Sequence, residues 1–144
     1  MTSFFIAIMN ILSGNITDIT TEDEISLVKV DAAGTTFTAI VIDTPVRSAY
    51  LTKGAPVRLL FKETEVMIAT PAPLAISVQN RIRCQIKNIK SGKILCELTL
   101  GLEGSDSEIR SIITLNACKQ LALQTGDNVI ALIKTNEVSL SAHD

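Results

Sequence analysis

The chain has 144 residues, a net charge of −2 at pH 7 and a sequence pI near 5.4, which excludes the broad basic surface typical of nucleic-acid binding. It is 47% hydrophobic and only 19% charged, so little polar surface is available to cover a monomer. We therefore expect a homo-oligomer with an apolar interface, and a compact monomer with a dense core is the alternative.

One pattern of residues occurs twice along the chain. Asn10 is followed by Asn80, 70 positions later, and Lys62 is followed by Lys134, 72 positions later. The apolar positions between these residues recur in the same order. Such a repeat predicts two copies of one small fold, each near the lower size limit for an independent core. The predicted units are a first repeat at 1–69, a linker at 70–73 and a second repeat at 74–144.

Short, β-branched apolar runs bounded by turn residues predict strands in both copies. In the first copy they lie at 4–10, 14–20, 24–31, 35–43, 56–62 and 65–69. In the second copy they lie at 74–80, 83–90, 93–100, 108–114, 128–134 and 137–142. A helix is predicted at 114–121, capped by Thr114, and a matching helix at 43–50, with Asp43 or Thr44 as its cap and Pro45 in its first turn. The predicted fold is all-β with one short helix per repeat, arranged as two OB-like five-stranded barrels in tandem.

Several common functional classes find no support in the sequence. The apolar run at 4–9 lacks a basic leader, and no segment is long enough to span a bilayer, so no membrane insertion is expected. Cys84, Cys96 and Cys118 have no CxxC spacing, and His143 is the single histidine, which disfavours a zinc site. We expect three buried thiols in a reducing cytosol. Neither a nucleophile–base set nor a phosphate-binding loop is present, so no enzyme is predicted.

Two polar positions recur in both copies and are the candidates for binding. The first is the end of the first strand, at 77–80 and 7–10, and the second is the segment that begins with a lysine, at 134–136 and 62–64. An ammonium, a hydroxyl and an amide beside backbone N–H groups suit a tetrahedral oxyanion. The alternative is a lysine that merely extends from the rim of a barrel into water.

The motifs and their order resemble those of the molybdate-binding Mop/TOBE domain. The resemblance rests on Asn after a short strand, on a helix followed by Leu-x-x-Gly (Leu51–Gly54 and Leu123–Gly126), and on Lys-x-x-x-Val. The tandem arrangement is similar to that of the di-domain molbindins and of the C-terminal half of molybdate-responsive regulators. The resemblance implies one OB-like barrel per copy, and molybdate or tungstate bound at interfaces between copies.

The resemblance also implies which residues surround the oxyanion. In the family the first motif reads Ser-Ala-Arg-Asn and the second reads Lys-Ala-Ser. The corresponding residues of the second copy are Ser77, Val78, Gln79, Asn80, Lys134 and Asn136, and those of the less complete first copy are Ala7, Met9, Asn10, Lys62 and Thr64. Gln79 and Met9 stand where the family has arginine, and Glu63 opposes a dianion beside Lys62. We therefore expect the second copy to keep a site and the first to be degenerate or structural.

The function implied is that of a cytoplasmic, non-enzymatic protein that binds molybdate or tungstate for storage, buffering or homeostasis. The bound ligand is an oxyanion, no cation metal is implied, and the assembly is a dimer or trimer of the two-repeat chain. The alternative is a ligand-free regulatory or scaffold module that oligomerises and binds a protein partner. Oligonucleotide binding by the chain itself is disfavoured, because the chain is only 3% aromatic and has no Trp to stack on bases.

Overall fold

The computed structural model describes residues 8–71 and 75–143, so Ala7 and part of the predicted linker at 70–73 lie outside the described residues. The strands are β1 (Met9–Glu22), β2 (Ile25–Ala32), β3 (Thr35–Val41), β4 (Pro56–Lys62), β5 (Met67–Ala69), β6 (Asn80–Ser91), β7 (Leu95–Leu102), β8 (Glu108–Thr114), β9 (Asn128–Ile133) and β10 (Ser139–Ala142). The helix α1 is Leu115–Gln120, and two 3₁₀ turns are Glu63–Glu65 and Thr135–Glu137.

The strands form two five-stranded antiparallel sheets. The first has the order β10-β4-β1-β2-β3 and the second has the order β5-β9-β6-β7-β8. Buried and exposed residues alternate along β2 and β4, so one face of the sheet is turned to the core. The prediction of an all-β chain with two OB-like five-stranded barrels is confirmed.

The two repeats exchange their last strands. Strand β5 comes from the first repeat but pairs with β9, placing Ile68 opposite Ala131 in the second sheet. Strand β10 comes from the second repeat but pairs with β4, placing Leu140 opposite Leu59 in the first sheet. Each sheet therefore contains four strands of one repeat and one strand of the other. The division of the chain into repeats at 1–69 and 74–144 stays a prediction.

Long continuous strands replace the paired short strands expected at the start of each copy. Strand β1 runs without a break through the gap predicted at 11–13, and its register against β2 shifts between Ile16 and Asp18, as at a β-bulge. Position 14 of β1 is a glycine, and a Cβ there would come within 2.4 Å of the Asp31 carbonyl oxygen, so a larger residue does not fit. Strand β6 replaces the strand predicted at 83–90 in the same way.

The strand predicted at 74–80 is wrong for the residues that the structure describes. Residues 75–79 form no strand, and β6 begins only at Asn80. The physical reason is that the guanidinium of Arg81 donates hydrogen bonds to the carbonyls of Ile76 and Val78, which a strand would direct to a neighbouring chain segment.

One of the two predicted helices forms. Helix α1 begins after Thr114, whose hydroxyl accepts a hydrogen bond of 3.0 Å from the Ala117 N–H, as predicted. The helix predicted at 43–50 is wrong, because the chain makes a single turn in which Thr44 O accepts from two N–H groups and then continues as turns. Val46 is 95% exposed, so its apolar side chain does not pack on the barrel and cannot stabilise a helix there.

The cores of the sheets are built from aliphatic side chains and a pair of phenylalanines. The rings of Phe37 and Phe61 lie 6.1 Å apart, centroid to centroid, in the first sheet. Cys84, Cys96 and Cys118 are free and buried, which confirms that part of the prediction. Burial raises the pKa of the Cys84 thiol to about 12, so it stays protonated and inert at neutral pH.

Candidate functional site

Two buried asparagines tie each repeat to the other. The Asn80 side chain accepts a hydrogen bond of 2.7 Å from the Thr38 N–H and donates one of 2.8 Å to the Thr38 carbonyl. Asn10 makes the same pair of bonds, both 2.8 Å, with the backbone of Arg110. Both asparagines lie at the start of a long strand, and Thr38 and Arg110 lie on β3 and β8, the edge strands of the opposite sheets. The amides therefore fix where each strand begins against the neighbouring repeat.

The lysine segment of each repeat lies at the same end of the sheet as the first polar motif. Met9 pairs directly with Lys62 across β1 and β4. Asn80 pairs with the residue before Lys134, which brings Gln79 and Lys134 together at the end of β6 and β9. Both lysines are exposed, and each leads into a 3₁₀ turn that packs against an edge strand of the other sheet. The sequence-predicted motifs are thus brought together twice, at the two interfaces between repeats.

The polar motif of the second repeat contains an arginine that sequence reasoning missed. Ser77 and Gln79 are exposed, and Val78 between them is half-buried. The Nε of Arg81 donates a hydrogen bond of 2.8 Å to the Val78 carbonyl, and Nη2 donates to Ile76. The signal in the sequence was limited to the position of Arg81, one residue after the 77–80 motif, because residues 75–79 form no strand that would set its face. A guanidinium therefore lies against the Ser77 segment although the family's arginine position holds glutamine.

The lysine segment of the first repeat contains a buried carboxyl group. Thr64 and its equivalent Asn136 are exposed, but Glu63 is only 1% exposed and its Oε1 has no hydrogen-bond partner among the described residues. Burial first, and then the negative charge of Glu97, raise the pKa of Glu63, while the positive charge of Arg110 acts in the opposite direction. The net effect favours the neutral acid at this interface.

The ends of the sheets at Lys62 and at Lys134 are called here the two lysine ends. Their donor groups are suited to hold an anion and not a cation. Ammonium and guanidinium groups carry only donors, and the Ser77 hydroxyl adds another. Within residues 8–71 and 75–143, no group of three or more His, Cys, Asp or Glu side chains is arranged to hold a metal ion. The arrangement can therefore offer charge-assisted hydrogen bonds to a small oxyanion.

Comparisons with known proteins agree on one family. The TOBE domain model matches residues 76–140. Molybdenum-pterin-binding protein 1 of Clostridium pasteurianum is 30% identical over 69 residues, which cover 48% of this chain and 100% of that protein. The molybdenum import ATP-binding protein ModC of Rhizobium etli is 35% identical over 88 residues, which cover 61% of this chain. This chain spans only 24% of that relative's length.

A solved structure agrees over nearly the whole chain. The cytoplasmic molybdate-binding protein ModG, in a crystal form with molybdate bound, matches with a TM-score of 0.86 and 27% sequence identity. The match covers 93% of this chain and 96% of that one, so it includes both sheets. The chain therefore belongs to the Mop/TOBE domain family and carries that domain twice in tandem.

Proposed function

We propose that this chain binds molybdate or tungstate as an oxyanion at the two interfaces between its repeats, and that it stores or buffers the anion in the cytoplasm without catalysing a reaction. The proposal rests on one arrangement that occurs at both interfaces. In each, a lysine segment and the motif at the start of a long strand lie next to an edge strand of the other repeat. The relatives support it, because their names describe molybdenum or molybdate binding and transport.

The second-repeat site has the clearer set of donors. Ser77 offers a hydroxyl, Arg81 a guanidinium already held against the Ser77 segment, and Lys134 an ammonium at the end of the neighbouring strand. Charge-assisted hydrogen bonds of this kind contribute roughly 1.5–3 kcal/mol each. Asn80 positions the start of β6 beside this site, because its amide oxygen and one of its two amide N–H groups bond the backbone of Thr38. Its second N–H keeps Asn80 among the candidate contacts to the anion.

The predicted assembly and location remain part of the proposal. Ile42 is 85% exposed and Val46 is 95% exposed, and burying such side chains favours association of chains into the predicted dimer or trimer. Within the described residues, no helix is both long enough and apolar enough to cross a membrane. A cytoplasmic pool of the free anion is the setting in which a store or buffer acts.

A ligand-free scaffold is the second candidate function. It is favoured by one observation, which is that Gln79 and Met9 occupy the positions where the family pattern has arginine. Under this alternative the repeats keep their interlocked architecture and serve to oligomerise and bind a protein partner. The two candidates differ in a single property, the binding of molybdate by the intact protein.

Calorimetric titration of the full chain with molybdate, tungstate and sulfate separates the two. We expect saturable binding of molybdate and tungstate and much weaker binding of sulfate. Lys134→Met should weaken binding at the second-repeat site by about tenfold or more, since about 1.4 kcal/mol corresponds to one decade. Lys119→Met, at an exposed position on α1, is the matched control and should leave binding unchanged. Absence of molybdate binding by the intact protein would leave only the scaffold.

A further inference from the structure

A polar cavity lies at the start of β1, where the first repeat meets the second. Its volume is about 320 Å³. It is lined by Met9, Asn10, Ile11, Glu63, Glu108 and Arg110. Lys62 pairs with Met9 at its edge. The cavity therefore lies at the first-repeat lysine end, and its walls come from both repeats.

Arg110 is held in this cavity by its backbone. Its N–H and carbonyl are both bonded to the Asn10 side chain at 2.8 Å, which fixes the residue next to the start of β1. Its side chain is exposed and makes no ion pair within 4.0 Å among the residues that the structure describes. Arg110 and Glu63 line the same cavity, and the positive charge of Arg110 acts to lower the pKa of the Glu63 carboxyl. A cation is thus available beside Met9, the position where the first repeat lacks one.

The acidic groups around Arg110 do not cancel this charge. Glu63 is buried, and its environment, including Glu97 across the interface, favours the uncharged form. Glu108 lies two residues from Arg110 on the same face of β8 and is exposed, as Arg110 and Lys62 are, so water screens all three charges alike. The exposed groups at this cavity are therefore two cations, Lys62 and Arg110, and one carboxylate, Glu108.

We propose that Arg110, a residue of the second repeat, supplies the guanidinium of an oxyanion site in the first repeat, where Met9 supplies no charge. The inference rests on the proposed function and reverses the expectation that the first repeat is degenerate. The equivalent position in the other interface is Thr38, which the Asn80 bonds identify, and there the guanidinium comes from Arg81. Each interface thus has one lysine and one arginine, but the arginines come from different strands.

The test is a molybdate titration of the full chain and of Arg110→Met, with bound molybdate counted per chain by native mass spectrometry. The wild type should bind one molybdate at each interface. Arg110→Met should weaken one of the two sites by about tenfold to a hundredfold, the range expected for loss of a charge-assisted bond. The fold should survive, because Asn10 is bonded only to the backbone of Arg110.

Three further variants make the assignment specific. Arg81→Met should weaken the other site, so the double variant should lose both. Arg110→Lys should restore part of the affinity, because it keeps the charge but not the fork of donors. Arg58→Met is the control, since Arg58 is exposed on β4 about 13 Å along the strand from Lys62, and it should leave both sites unchanged.

The outcomes separate this inference from the proposed function. If the wild type binds molybdate and Arg110→Met binds it equally well, or if Arg110→Met weakens the same site as Arg81→Met, the role of Arg110 is wrong while oxyanion binding stands. If the wild type binds a single molybdate that Lys134→Met abolishes, the first-repeat site is wrong and the second-repeat site stands. If the wild type binds none, both proposals fail together.

Discussion

At the scale of single residues, the side chains of Asn10 and Asn80 make the hydrogen bonds that a neighbouring strand would otherwise make to an edge strand. Each side-chain amide uses one of its N–H donors and its oxygen acceptor to satisfy the backbone of one residue on that edge strand. Their recurrence in the sequence marked them as important. Their partners, Arg110 and Thr38, could not be predicted, because these residues lie about a hundred and about forty positions away in the other repeat.

Asn80→Ala should destabilise the chain by about 2–6 kcal/mol, because it leaves the buried N–H and carbonyl of Thr38 without partners at about 1–3 kcal/mol each. The measurement is the free energy of unfolding from urea titration. Asn88→Ala, at an exposed position on the same strand, should change it by less than about 0.5 kcal/mol. Equal effects of the two substitutions would show that the Asn80 bonds are not a major source of stability.

Glu63 is the residue whose ionisation should be visible in the stability of the fold. Burial raises its folded-state pKa, with Glu97 adding to the effect, so the folded protein holds this proton more tightly than the unfolded chain does. The contribution to stability is therefore complete below the ordinary glutamate range, about pH 4, and is lost as the pH rises through the folded-state pKa. The sequence showed only an acidic residue beside Lys62, and its burial depends on strands from both repeats.

Glu63→Gln should flatten the decrease in unfolding free energy above about pH 4, where one proton contributes a slope of at most about 1.4 kcal/mol per pH unit. The variant should become more stable than the wild type at alkaline pH, because it removes a carboxylate from a buried position. Unfolding free energies of both proteins across pH 4–9 give the comparison. Parallel profiles would mean that Glu63 does not titrate differently on folding.

At the scale of elements, the chain follows local signals wherever an element packs on its own repeat. Helix α1 forms where a capping threonine precedes apolar residues, and Cys118 on it is buried. The matching segment at 43–50 has a cap and a proline at the correct positions but leaves Val46 in water, so local propensity without packing gives only turns. The exchange of β5 and β10 had no local signal, because either sheet accepts a short apolar strand at its edge.

Removal of residues 139–144 should therefore damage the first sheet and spare the second. Strand β10 covers the edge of β4, so amides of Val57–Leu60 should lose protection in hydrogen–deuterium exchange, while amides of β9 should keep theirs. The physical reason is that β9 is covered by β5 and β6, which the deletion leaves in place. Loss of protection confined to β9 would contradict the observed exchange of strands.

At the scale of the whole molecule, the two repeats form a single interlocked unit with two related interfaces. Each interface combines an asparagine clamp, a lysine end and an edge strand of the other repeat, and strand exchange holds them in register. The internal repeat predicted the number of barrels and the family. It could not predict how the barrels meet, because the contacts depend on which strand edges are paired. For the same reason, the motifs alone did not identify Arg81 and Arg110 as candidate binding residues.

Anomalous diffraction from crystals grown with molybdate can show where on the molecule the oxyanion binds, and so whether it lies where the repeats meet. Data collected above the molybdenum absorption edge locate the metal atom of the anion without reference to any assumed site. We expect one anomalous peak beside Lys134 and Arg81, facing β3, and one beside Lys62 and Arg110, facing β8. Absence of both peaks at saturating molybdate, or peaks remote from both lysine ends, would contradict binding where the repeats meet.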